Sequence, residues 1–163
     1  MKKIFIICAV TAIMTSPLLN SFAENVAVTQ PATQTAGQDL LVTDAWARPT
    51  YSTPNSAVYM QITNPNPYQI VISGVVSSVA NKTEMHQSVQ DTSGVMRMVP
   101  ISQITVPAHT TISLAPKGLH IMLMKLKQNL EIGMNVQISL TTLDPQGNHN
   151  SIVLQVPVKT AAN

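Results

Sequence analysis

From Leu40 onward, short runs of alternating or β-branched residues recur every eight to twelve positions, and Pro, Gly, Asn or Asp closes each one. That punctuation leaves no stretch for a long amphipathic helix and calls for antiparallel strands folded against each other. Ser56–Asn64 is the clearest run: Val58, Met60 and Ile62 fall on one side, and Tyr59, Gln61 and Thr63 on the other. Asn64-Pro65-Asn66-Pro67 then turns the chain. Further strands are expected at Tyr68–Val76, Lys82–Gln90, Val95–Val99, Gln103–Val106, Thr110–Leu114, Leu119–Met124, Asn135–Leu143 and Ser151–Val158. Asp91-Thr92-Ser93-Gly94 joins Lys82–Gln90 to Val95–Val99 as a hairpin, and Lys125–Gly133 has room for one short helical turn. The expected class is all-β, an antiparallel Ig-like sandwich or barrel in a single domain, with Trp46 plugging one end of the core.

The residues before Leu40 read differently. Lys2 and Lys3 precede a mostly apolar run, Ile4–Met14, then Pro17 and the small residues of Ser21-Phe22-Ala23. This is the pattern of a secretory signal, residues 1–23, cleaved after Ala23. The apolar run is too short to span a bilayer, and Cys8 inside it stands far from the cleavage point, unlike a lipid-anchored cysteine. Residues 24–39, rich in Gln, Thr and Ala, read as a flexible segment, residues 40–159 as the folded domain, and residues 160–163 as a short tail. Cleavage removes two of the nine basic residues and none of the seven acidic ones, so the mature chain is formally neutral. A neutral chain lacks the basic footprint of a nucleic-acid binder, and nothing after the leader is apolar enough to embed it in a membrane. The single cysteine also leaves with the leader, which excludes disulfides, thiolate metal sites and cysteine nucleophiles. A periplasmic protein is expected.

Seven methionines and four histidines remain, unevenly spread. Met85, His86, Met96 and Met98 lie on the two arms of the expected hairpin, and His120, Met122 and Met124 alternate on one later strand. Period two places His120 and Met122 on one face about 7 Å apart, and a neighbouring strand about 5 Å away can supply further donors. Thioether sulfur is soft and never titrates, and imidazole is borderline. Two of each suit Cu(I) and fit zinc, magnesium or calcium poorly. Without cysteine there is no thiolate for a blue-copper electron-transfer site, so the donor set suits carrying copper rather than cycling it.

The segments Asp44-Ala45-Trp46-Ala47-Arg48, Ala57–Asn64, Glu84-Met85-His86, Gly94–Met98 and Gly118–Met124 occur in the same order in the periplasmic copper chaperone PCu(A)C family, which the chain resembles over roughly Leu40 to Val158. The resemblance implies a cupredoxin-like β-sandwich that ligates one Cu(I) per chain through His86, Met98, His120 and Met122. It also implies delivery by ligand exchange to the copper site of cytochrome c oxidase, directly or through a thiol-bearing carrier. Twenty-one residues separate Met98 from His120, as in the family, but eleven rather than the usual ten separate His86 from Met98. The longer hairpin leaves Met96 as an alternative ligand. The resemblance implies Met98, because Met96 would change the downstream spacing by two.

The other candidates read more plainly. Met60, Met134, Met85 and Met124 suit gap-filling in a β core. His109 and His149 lie in turns, where weak Cu(II) binding is the most they offer. Arg48 either pairs with an acid such as Asp44 or is solvated. Glu84, two residues from His86 on the same face, either accepts a hydrogen bond from that imidazole or faces solvent, with solvent the commoner case for a carboxylate. No Ser-His-Asp order, paired-carboxylate motif or phosphate loop marks an enzyme, and a monomer is expected. The alternative of another class is an Ig-like adhesion or assembly module whose methionines are core and whose four candidate residues are buried, dispersed and indifferent to metal.

Overall fold

The computed structural model describes residues 40–160; the leader, the segment 24–39 and the last three residues lie outside the described residues. Ten strands run in chain order: β1 (Leu41–Ala47), β2 (Asn55–Asn64), β3 (Ile70–Ser77), β4 (Ala80–Gln90), β5 (Met96–Ile101), β6 (Ile104–Val106), β7 (Thr110–Leu114), β8 (Leu119–Leu126), β9 (Asn135–Leu143) and β10 (His149–Pro157). They form a six-stranded sheet, β1-β2-β7-β8-β4-β5, packed on a four-stranded sheet, β10-β9-β3-β6. The first half of β2 also pairs with β8, over Asn55–Val58. The all-β sandwich expected from the alternation is therefore present, and among the described residues no helix is long and apolar enough to cross a membrane. In Lys125–Gly133, where the sequence left room for a short helical turn, Lys125 (φ 51°) and Leu126 end β8 and the residues after them form bends and a turn.

Alternation decides which side of the large sheet faces the interior. Val58, Met60 and Ile62 of β2, Met85 of β4, and Ile121 and Leu123 of β8 are all buried in one core with Ile70, Ile72, Val136, Ile138, Leu140, Leu154 and Val156 of the small sheet. Burying such a side chain contributes about 1.5–3 kcal/mol, so a one-residue slip in any of these strands is strongly disfavoured. The buried Asn64 side chain is fully matched. Asn64, fully buried, donates from Nδ2 to the carbonyls of Tyr68, Val106 and Pro107 at 2.8, 3.0 and 3.1 Å. Its Oδ1 accepts from the Asn66 amide at 3.0 Å, which fixes the Asn-Pro-Asn-Pro turn.

A bulge in β1 reverses the phase of that strand. Thr43 is opposite Gln61 while Trp46 is opposite Tyr59, so one extra residue intervenes on β1. Asp44 takes the left-handed conformation there, φ 52°, which Asp tolerates better than most residues. Val42, Ala45 and Ala47 consequently face the core. Trp46 turns to the opposite side of the sheet and is only partly buried, so it does not plug the core end.

Candidate metal centre

The outer face of the large sheet is where the histidines and methionines meet. Strands β4 and β8 are antiparallel, with His86 opposite His120 and Glu84 opposite Met122. Directly opposed residues share a face, and the intervening pair, Met85 and Ile121, belongs to the core. The four outer residues thus form a block two strands wide. On the far side of β4, Pro100 of β5 is opposite His86 and Met98 is opposite Ser88. That register sets Met98 on the His86 face, one diagonal step of about 7–8 Å away. Met96, opposite Gln90, shares the face but sits one pleat farther out. The β4–β5 register runs without a bulge from Met85 to Gln90, so the additional residue of the hairpin is absorbed in its turn. There Asp91 accepts from the amides of Ser93 and Val95, both at 3.0 Å, and from Arg97 Nε at 2.8 Å. These bonds, with that from the Ser93 hydroxyl first, hold the Asp91 carboxyl down at about 2.

An outward-facing histidine would ordinarily be wet, yet His86 and His120 are 8% and 2% exposed. Four rings in a row across β1, β2, β8 and β4 contribute to that burial. Trp46 and Tyr59 have centroids 4.6 Å apart, Tyr59 and His120 6.3 Å, and His120 and His86 5.8 Å, the last pair edge to face. Burial among these groups pushes the His120 imidazolium pKa below its usual value, reinforced by charge at His86 and Arg48 and opposed by the hydrogen bond to Gly118. His120 is thus kept in the neutral form a metal requires.

Hydrogen bonding sets each ring's tautomer. His86 Nε2 lies 3.1 Å from Glu84 Oε2, and His120 Nδ1 lies 3.0 Å from the Gly118 carbonyl. Both oxygens accept, so those nitrogens carry the protons. The other two, His86 Nδ1 and His120 Nε2, are then bare lone pairs, buried and without a hydrogen-bond partner. Leaving such a group unsatisfied costs about 1–3 kcal/mol, and here two occur on directly opposed residues. Glu84 is itself tied to Lys82 at 2.6 Å, and the hydrogen bonds from Lys82 and then His86 hold its carboxyl below the ordinary carboxylate range. Glu84 thus combines the two readings, a carboxylate open to solvent that also accepts a hydrogen bond from the His86 ring.

Two bare imidazole nitrogens flanked by thioethers on one face fit a soft monovalent cation. Among the described residues no group of three or more His, Cys, Asp or Glu is arranged to hold a metal ion, and the other soft donors on this face are methionine sulfurs. Of the four candidate ligands, the structure brings His86 and His120 side by side, sets Met122 in the next row and sets Met98 one strand over, 60% exposed. His109, in a turn at φ 52°, and His149, the first residue of β10 rather than part of a turn, stay apart from them. Met60 and Met85 are core, and Met134 packs beside it. Met124, opposite Lys82 and Asn55, lies on the outer face and corrects the core reading made for it. The covering pair Trp46–Tyr59 and the Gly118 carbonyl were missed from the sequence. The placement of Tyr59 opposite the apolar side of β2 was the signal that could have found it.

Comparison with known proteins bears on the family and the fold. The LpqE-like family, described as "Putative lipoprotein LpqE-like", matches residues 40–158. The "Putative lipoprotein Lxx21020" of Leifsonia xyli subsp. xyli is 30% identical over 141 residues, covering 84% of this chain and 83% of that one. The Cu(I) form of DR1885 from Deinococcus radiodurans is 30% identical with TM-score 0.51, covering 76% of this chain and 81% of that one. The copper-bound PCuAC domain of PmoF2 shares the fold at 17% identity and TM-score 0.60, covering 79% of this chain and 99% of that domain.

Proposed function

The chain belongs to the LpqE-like family, the family of the PCuAC copper domains, and on that premise we propose that it is a periplasmic metallochaperone carrying one Cu(I) between His86, Met98, His120 and Met122. The observation that carries the reading is the pair of buried, unpartnered imidazole nitrogens on facing residues of β4 and β8. Cu(I) is d10 and imposes little geometry, so two fixed nitrogens and two mobile thioethers suffice to hold it. Neutral donors stabilise the ion only modestly, and the edge position of Met98 makes its sulfur the first ligand an incoming protein can displace. Exchange with a thiolate-bearing carrier, or with the copper site of cytochrome c oxidase, then completes delivery. Four protein donors leave the metal no open position for substrate, which fits carriage and not catalysis. Export with cleavage after Ala23 and a monomeric state belong to the same proposal. The adhesion-module alternative is disfavoured by an exposed Met98 and by adjacent histidines.

Copper titration under reducing conditions tests the site. The double variant His120→Ala, Met122→Ala is expected to lose tight Cu(I) binding, and X-ray absorption of the loaded wild type to count two sulfur and two nitrogen neighbours. Unchanged affinity in the double variant would refute the assignment.

A further inference from the structure

Strand β5 contributes little to the interior. Every residue from Met96 to Pro100 is exposed, with Met96 at 49% and Met98 at 60%. Gap-filling, the usual reason for methionine in a β protein, does not apply to either. As strand residues, methionines are also unremarkable β formers compared with Val, Ile or Thr. Register places both on the outer face, Met98 beside His86 and Met96 one pleat nearer the hairpin tip. The neighbours leave Met96 accessible: Gln90, directly opposite, has its amide turned to the Gly94 carbonyl at 3.0 Å, and Arg97 alternates to the other side, tied to Asp91.

We propose that Met96 and Met98 form a second, outer Cu(I) position, through which copper enters and leaves the His86–His120 centre. The idea rests on the copper-carrier reading and assigns Met96 a part in transfer. Residues i and i+2 of a strand are about 7 Å apart, and two flexible thioether arms can close on a single soft ion over that span. Met98 belongs to both positions. Copper can then move inward or outward by exchanging one ligand at a time, without a bare ion being released to water. Two thioethers alone hold the ion less firmly than the full set, so an ion at the outer position passes inward while the centre is empty, and a second ion there must share the Met98 sulfur or displace it from the centre.

Silver(I), a d10 ion free of redox chemistry, provides the probe, with ε-methyl carbon labelling of the methionines of the mature protein. In the wild type the Met96 methyl should shift beyond the first equivalent of silver. In the variant His86→Ala, His120→Ala, the Met96 and Met98 methyls should still shift together. The conservative variant Met96→Leu should slow Cu(I) transfer to a soluble chelator by about tenfold, a barrier about 1.4 kcal/mol higher, with a much smaller change in affinity. A Met96 methyl that stays fixed in both proteins, or wild-type transfer in Met96→Leu, overturns the outer position. Shifts at Met96 and Met98 without any response of the His86 and His120 rings would instead sink the four-ligand centre while the outer pair stands.

Discussion

The same substitution, Met→Ala, should have opposite consequences on the two faces of the large sheet. Met60 is 1% exposed and packed in the core, and Met98 is 60% exposed on an edge strand. Truncating a core methionine costs roughly 2–5 kcal/mol, whereas surface changes stay within about 0.5 kcal/mol. For a domain of this size each kcal/mol moves Tm by about 4 °C, so Met60→Ala should melt about 8–20 °C below wild type and Met98→Ala within a few degrees of it. Added Cu(I) discriminates in the other direction, stabilising Met60→Ala far more than Met98→Ala. A ligand at 100 times its Kd stabilises the folded state by about 2.7 kcal/mol, and a hundredfold weaker site retains only about 0.4 kcal/mol at the same free concentration. Copper buffered to that level should raise the Tm of Met60→Ala by about 10 °C and that of Met98→Ala by about 2 °C. Thermal unfolding of apo and loaded forms reads all four values. A Met98→Ala protein that loses more than about 1.5 kcal/mol without metal, yet keeps the full copper shift, would show that its sulfur serves packing and that the ligand assignment is wrong.

Three further outcomes are expected. Glu84→Ala frees the His86 ring to rotate, and loss of such an orienting partner weakens metal affinity by about 10–100-fold; because the Glu84 side chain is 28% exposed, the lower end should be found by competition with a Cu(I) chelator, and unchanged affinity would remove Glu84 from the site. The depressed pKa of His120 means that the unfolded chain takes up a proton that the folded chain refuses. Apo stability is therefore full above the unfolded value of about 6.5 and falls as pH drops through it towards the lowered folded value; urea titrations at neutral and mildly acid pH should show this loss, and His120→Gln should lessen it. At Asp44, φ 52°, a β-branched residue is strained by roughly 1–2 kcal/mol, so Asp44→Val should destabilise the domain and loosen the Trp46–Tyr59 stack, whereas Asp44→Gly should not, as unfolding followed by Trp46 fluorescence would show.

Most strands could be read from the sequence because their alternation is two-sided: Thr110–Leu114 and Asn135–Leu143 have the expected bounds, and β2 begins one residue earlier than expected. Trp46 was misplaced because a bulge changes the phase of a strand, and only the fold reveals that Asp44 occupies an extra position. The proximity of His86 and His120 depends on the pairing of strands more than thirty residues apart, which local pattern does not specify; the family resemblance supplied what periodicity lacked. Glu84 was harder still. A carboxylate two residues from a histidine is ordinary, and its role appears only with the 3.1 Å contact and with the bare nitrogen on the other side of the ring.

The two imidazoles offer different nitrogens, and the difference has a spatial consequence. Nδ1 lies close to its own backbone, whereas Nε2 is at the far tip of the ring, so the open nitrogen of His86 is set near β4 and that of His120 stands farther from β8. An ion held by both nitrogens would therefore lie off the midline of the two strands, nearer the backbone of β4 than that of β8. That is the side from which β5 extends, the sheet margin that carries Met98.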